Sequence, residues 1–189
     1  MHVLNFCPEA LKRYKWRHDN VVVSLQSFLN AHVSVNCPAK RVLCDVVTAE
    51  NCIQTDQKRE TIPSDILCTS QRPDITIIDD SEKEFWVIEI TVPFESNIEA
   101  AQLRKAERYA PLLAGLEGVG YKCHYSSIEV GCRGVIAHGT FKCLKAITGA
   151  SRKSIRTFMS QLSKTVIRCS YCIFRARDSH ELFSNVILQ

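Results

Sequence analysis

Leu11, Tyr14, His18, Val21, Val22, Leu25, Phe28 and Leu29 recur at helical spacing after Pro8-Glu9, and they predict a first helix over residues 9–32. Residues 36–63 read as irregular, with one strand near Arg41–Val47. Two β-rich runs follow, Asp74–Ile78 (DITII) and Phe85–Val92 (FWVIEITV), separated by the polar stretch Asp79–Glu84. Such a separator between apolar runs predicts a hairpin. Pro93 cannot continue a central strand, and the next helix starts from Ser96 or Asn97 as N-cap. Its sequence, IEAAQLRKAERYAPLLAGLEG, predicts a kink or break at Pro111 and a stop at Gly118. Tyr121–Val130 reads as a further strand. A last helix begins near Ser151, with Ile155, Phe158, Leu162, Thr165, Cys169, Cys172 and Ala176 tracing one stripe. Strands followed by helices able to cover them predict an α/β or α+β class: a central mixed sheet flanked by helices, in one domain over residues 1–189.

Composition narrows the class. At 189 residues with 46% hydrophobic and 23% charged content, the chain can bury a sizeable core, which excludes disorder throughout. The opening MHVLNFCPEALKRYKW reaches charge before any apolar leader segment forms, and no apolar run approaches bilayer length. An intracellular protein without a membrane partner is expected. Ten cysteines in such a chain are expected as reduced thiols. The single Cys169-Ser170-Tyr171-Cys172, with His180 beyond it, falls short of the four ligands of a structural zinc site. Its cysteines lie on the apolar stripe, so core packing is the expectation. Trp16 and Trp86 are expected as core aromatics. The net charge of +4 is unevenly spread: residues 130–177 hold ten of the 24 basic side chains and none of the 20 acidic ones. A basic helical part over residues 136–189 suits either solvent or a polyanion such as nucleic acid.

The hairpin carries the candidate chemistry. Asp74 starts its first strand and Glu89 lies inside its second, flanked by Trp86, Val87, Ile88, Ile90 and Val92. An acid in such a setting is costly unless it is paired or coordinating. Antiparallel pairing brings distant residues side by side. Mg²⁺ takes one or two protein carboxylates and keeps several waters, so Asp74 and Glu89, with the Ile90 carbonyl, form a candidate site for Mg²⁺ or Mn²⁺. Alternatively, Asp74 caps a turn after Pro73 and Glu89 points to solvent. A lysine two residues after the second acid would share its face, but that position is Thr91. In the helix, Ile98, Gln102, Lys105, Tyr109, Leu112 and Leu116 form one stripe. Lys105 can therefore supply the missing charge, or merely lay its stem on the core. Gln102 and Tyr109 are candidates for orienting water or backbone. Asp65 is a candidate third acid or a turn residue after Pro63. Arg17, His18 and Asp19 lie within reach on the first helix, with His18 more naturally a core histidine.

The stretch RPDITIID…FWVIEITVPFESNIEAAQLRKAERYAPL resembles the restriction-like endonuclease domain, of the PD-(D/E)xK superfamily, found in non-LTR retrotransposon polyproteins. That family is marked by Arg/Lys-Pro-Asp and, after roughly a dozen residues or slightly more, an acid; here the gap is the 14 residues 75–88. Tyr14–Asp19 with Val21–Leu25, Thr61–Leu67 and Glu129–Gly134 look like the family's surroundings, so the likeness spans about residues 10–177, with residues 61–135 as the nuclease-like core. The resemblance implies a mixed sheet flanked by helices and Mg²⁺-dependent cutting of DNA. It also implies a 3′-hydroxyl that primes reverse transcription and a catalytic lysine taken from the following helix, here Lys105. Arg72, Arg17, Arg133, Arg152, Lys153 and Arg156 are the candidate nucleic-acid contacts. The element's RNA or a separate reverse transcriptase would be further partners, and nuclear access is expected. With the region starting almost at Met1 and no reverse transcriptase ahead of it, a stand-alone or truncated chain is expected. A silent nucleic-acid-binding module, or a remnant, remains the alternative.

Overall fold

The computed structural model describes residues 2–36, 39–46 and 62–177. A short helix α1 (His2–Asn5) and a 3-10 turn at Pro8–Ala10 lead into the long α2 (Leu11–Asn36). Three strands follow: β1 (Lys40–Cys44), β2 (Ile75–Asp79) and β3 (Glu84–Thr91). The helix α3 (Ile98–Gly118) then crosses to β4 (Lys122–Glu129), and α4 (Thr140–Thr148) and α5 (Arg152–Arg175) complete the order. The protein is of the mixed α/β class: the sheet runs β1-β2-β3-β4, antiparallel at the first two pairings and parallel at the last. Among the described residues no helix is long and apolar enough to cross a membrane.

The two faces of the sheet are covered by different helices, and for this reason the apolar runs of β2 and β3 are nearly continuous rather than alternating. All five residues of β2 are buried. One face, with Ile75, Ile77, Ile88, Ile90 and Ile128, packs on Val21, Val22, Leu25 and Leu29 of α2 and on Leu162 and Val166 of α5. The other, with Ile78, Phe85 and Val87, packs under Tyr109, Leu112 and Leu116 of α3. Phe28 stacks on Phe158, with ring centres 4.2 Å apart, where α2 meets α5.

Several expectations shift by a turn or less. The first helix runs on to Asn36, and Leu11, expected on its apolar stripe, is 65% exposed. The strand expected to reach Val47 ends at Cys44; Val47 lies outside the described residues, as do the Thr61 end of the Thr61–Leu67 stretch and His180. Pro111 does not break α3. It is exposed, as is Glu107, whose carbonyl loses its helical bond to the ring nitrogen and can turn to water instead. Asn97 is the N-cap of α3, and the helix ends at Gly118 as expected. On α5, Val166 and Ile173 are buried where the stripe named Thr165 and Cys172. Ser151 is its N-cap, accepting the Ser154 N–H at 3.1 Å. The eight described cysteines are free thiols, and Cys169 is core.

The Gly131–Gly134 loop is built around packing. A Cβ at Gly131 would sit 2.6 Å from Glu95 Oε1, and one at Gly134 2.7 Å from Ser163 Oγ. Gly134 also has φ +91°, which side-chain-bearing residues rarely adopt, and its carbonyl accepts the Ser163 hydroxyl at 2.8 Å.

Candidate functional site

The register Ile75↔Ile88, extended by one step, sets Asp74 directly opposite Glu89 at the open end of the hairpin. Asp74 stands just before β2, and its carboxylate Oδ2 accepts the Ile90 N–H of β3 at 2.8 Å. The Asp74 N–H lies 3.4 Å from Glu89 Oε2. Both acids are largely withdrawn from water, with side-chain exposures of 14% for Asp74 and 3% for Glu89. The alternative of an outward-facing Glu89 is thus excluded.

Two cations face this pair from opposite sides. Lys105 reaches down from α3, 18% exposed, and its amine pairs with Glu89 Oε1. Its neighbours along the helix, Ala101, Tyr109 and Leu112, are buried, and this stripe aims the amine at the sheet. From α2, His18 places Nε2 3.3 Å from Asp74 Oδ2 and 3.2 Å from the Ile90 carbonyl, while Nδ1 meets Asp19 at 3.2 Å. Burial opposes a charge on His18, but its hydrogen bonds to Asp19 and Asp74 outweigh this and push its pKa up to about 10. Burial and the nearby Asp74 carboxylate raise the Glu89 pKa, and Lys105 works against them. Tyr109, buried beside Glu89, donates its hydroxyl to the Arg72 carbonyl at 3.1 Å. Burial followed by the Glu89 charge raises the Tyr109 pKa far above its usual value, so it stays a neutral donor.

These groups line one open cleft of about 450 Å³, whose walls come from α2, α3 and the ends of β2 and β3. Asp74, Glu89, the Ile90 peptide, Thr91, Lys105 and Tyr109 all border it. Two carboxylates and a carbonyl converging there fit a hard, oxygen-preferring cation that keeps part of its water shell. Among the described residues no group of three or more His, Cys, Asp or Glu side chains is arranged to hold a metal ion, as a closed zinc site would need.

Other expected residues fall elsewhere. Arg17 is not a phosphate contact: it is 1% exposed and bonds Ser170 Oγ at 2.9 Å, the Leu4 carbonyl at 3.0 Å and Asn5 Oδ1 at 2.6 Å. A buried guanidinium needs such partners, and these tie α1 and α5 to α2. Asp65 is no third acid; it lies exposed in the turn at residues 64–66, outside the cleft. Gln102 does not orient water at the acid pair, because its amide donates to Glu129 Oε2 at 2.7 Å. Thr91 borders the cleft, with its Oγ1 buried and without a hydrogen-bond partner among the described residues. Arg72 stands at the rim, paired with Asp45. Arg133 is exposed but bound to Glu95 at 2.8 Å, over the Phe94 ring. Arg152, Lys153 and Arg156 are exposed at the start of α5, beside His32, which bonds Ser154 Oγ at 3.0 Å.

Sequence reasoning underrated His18 and missed Glu129. The sign in both cases is a polar residue where the pattern calls for an apolar one: His18 on the buried stripe of α2, and Glu129 next to Ile128 and Val130. No protein-family model matches the chain, and no curated protein matches its sequence.

Proposed function

We propose that the protein is a metal-dependent DNA endonuclease of the PD-(D/E)xK type, similar to the restriction-like domain of non-LTR retrotransposons. The observation that carries this reading is the convergence of Asp74, Glu89 and the Lys105 amine in one cleft, with the Ile90 carbonyl beside them. Asp74, Glu89 and the Ile90 carbonyl would hold Mg²⁺ or Mn²⁺. The ion would lower the pKa of an attacking water and offset charge on the phosphate. Lys105 takes the role of the strand lysine that Thr91 replaces: its ammonium faces the same space as the acids and can stabilise a phosphoryl oxygen. Tyr109 holds the Arg72 carbonyl and so fixes the segment that leads into Asp74. Cleavage would leave a 3′-hydroxyl able to prime reverse transcription, and such an enzyme would work in the nucleus.

One observation favours a second reading, a nucleic-acid-binding module without cleavage. Lys105 and His18 already neutralise both carboxylates. Plasmid nicking separates the two. The nuclease reading expects Mg²⁺- or Mn²⁺-dependent conversion of supercoiled to open-circle DNA, abolished by Asp74→Ala or Glu89→Ala and reduced about 100-fold or more by Lys105→Ala. Cleavage that survives both acid substitutions would overturn the assignment, and duplex binding without any nicking would favour the second reading.

A further inference from the structure

The chain's basic C-terminal third draws attention to α5, yet the cations nearest the acid pair come from α2 and α3. Lys15, Arg17, Arg72, Arg104, Lys105 and Arg108 line the cleft against only two carboxylates, Asp74 and Glu89. A pocket meant for a cation alone would not be ringed this way. Arg17 is buried, Arg72 is paired with Asp45, and Lys105 is paired with Glu89. Arg104 and Arg108 are different. Both are exposed, and neither guanidinium has a carboxylate partner among the described residues. They stand one turn apart on α3, where two like charges repel unless an anion lies against them. Lys15, 70% exposed, lines the same cleft from α2, and its amine pairs with Asp19 at 3.3 Å.

The start of α5 is remote by comparison. His18 at the acids and His32 at Ser154 are fourteen residues apart on α2, about 20 Å along the helix axis, so the start of α5 meets α2 well away from the acid pair. We infer that Arg104 and Arg108, with Lys15 opposite, grip the phosphodiester backbone of duplex DNA and lower it onto the acid pair, and that the α5 block takes no part in this grip. The inference rests on the nuclease reading and names the substrate contacts of that site.

The test is a salt titration of binding to a short fluorescein-labelled DNA duplex in EDTA, where no cutting occurs. The double variant Arg104→Ala/Arg108→Ala is expected to flatten the slope of log K against log salt by about 2, whereas Arg152→Ala/Lys153→Ala/Arg156→Ala changes it by less than about 0.5. Arg104→Lys/Arg108→Lys should restore the slope, since a phosphate contact needs the charge rather than the guanidinium fork. A slope lost with the α5 variant and kept with the α3 variant would overturn the inference while leaving the nuclease reading intact. A wild-type protein that binds no duplex would overturn both.

Discussion

Glu129 is fully buried at the end of β4, beside Thr91 of β3 in the parallel register. One of its oxygens accepts from Gln102, and the other has no hydrogen-bond partner among the described residues. Burial raises its pKa, with Gln102 opposing. An acid whose folded pKa lies above its unfolded value penalises the native state once it ionises. The penalty is absent below the unfolded pKa near 4.5, grows as pH rises from there to the folded pKa, and is constant above it. Glu129→Gln should therefore stabilise the protein by about 1 kcal/mol at pH 8 and leave it nearly unchanged at pH 4, measured by urea unfolding at both values. Equal effects at the two pH values would contradict the account. At this scale the sequence is legible where a residue violates its surroundings, as Glu89 does among aliphatic neighbours. It is silent where partners are distant: nothing near Arg17 announces Ser170, which lies 153 positions away and turns a candidate phosphate contact into a buried tie.

Elements were more legible than residues, for reasons of local physics. The β2–β3 hairpin follows from two apolar runs around a polar turn, and its register then requires that Asp74 and Glu89 meet. The α3 stripe marks Gln102 and Lys105 as polar residues turned to the sheet, but periodicity cannot say that Gln102 meets Glu129 while Lys105 meets Glu89. The burial of Val166 and Ile173 rather than Thr165 and Cys172 reflects a choice between adjacent positions near one stripe edge, decided by packing on α2 and α4 for Val166 and on α1 and α2 for Ile173. The Gly131–Gly134 loop belongs at this scale too, because its glycines let β4 turn back against Glu95 and α5. Gly134→Ala combines a disfavoured φ with overlap at Ser163 and Ile167, and it should destabilise the fold by about 2 kcal/mol in chemical denaturation. Gly118→Ala has open space around the added carbon and provides the control, with little change expected.

For the molecule as a whole, the sheet divides labour between its faces. The face under α2, α4 and α5 is apolar core, while the face under α3 turns polar toward one end, where Glu89 and Glu129 lie. The acid pair thus sits where the hairpin's open end meets two helices that bring cations of their own, His18 from α2 and Lys105 from α3. Charge counting along the chain pointed to the C-terminal third; charge counting around the cleft points to α3. The most direct measurement of the central claim is single-turnover cleavage of a labelled duplex by Asp74→Asn, run beside wild type in Mn²⁺ with DNA binding measured on the same samples. Asn keeps the side chain's shape and an acceptor for the Ile90 N–H while removing the charge a cation needs. The account predicts binding within about threefold of wild type and cleavage slower by about 1,000-fold or more. Wild-type cleavage rates in Asp74→Asn with binding unchanged would contradict it.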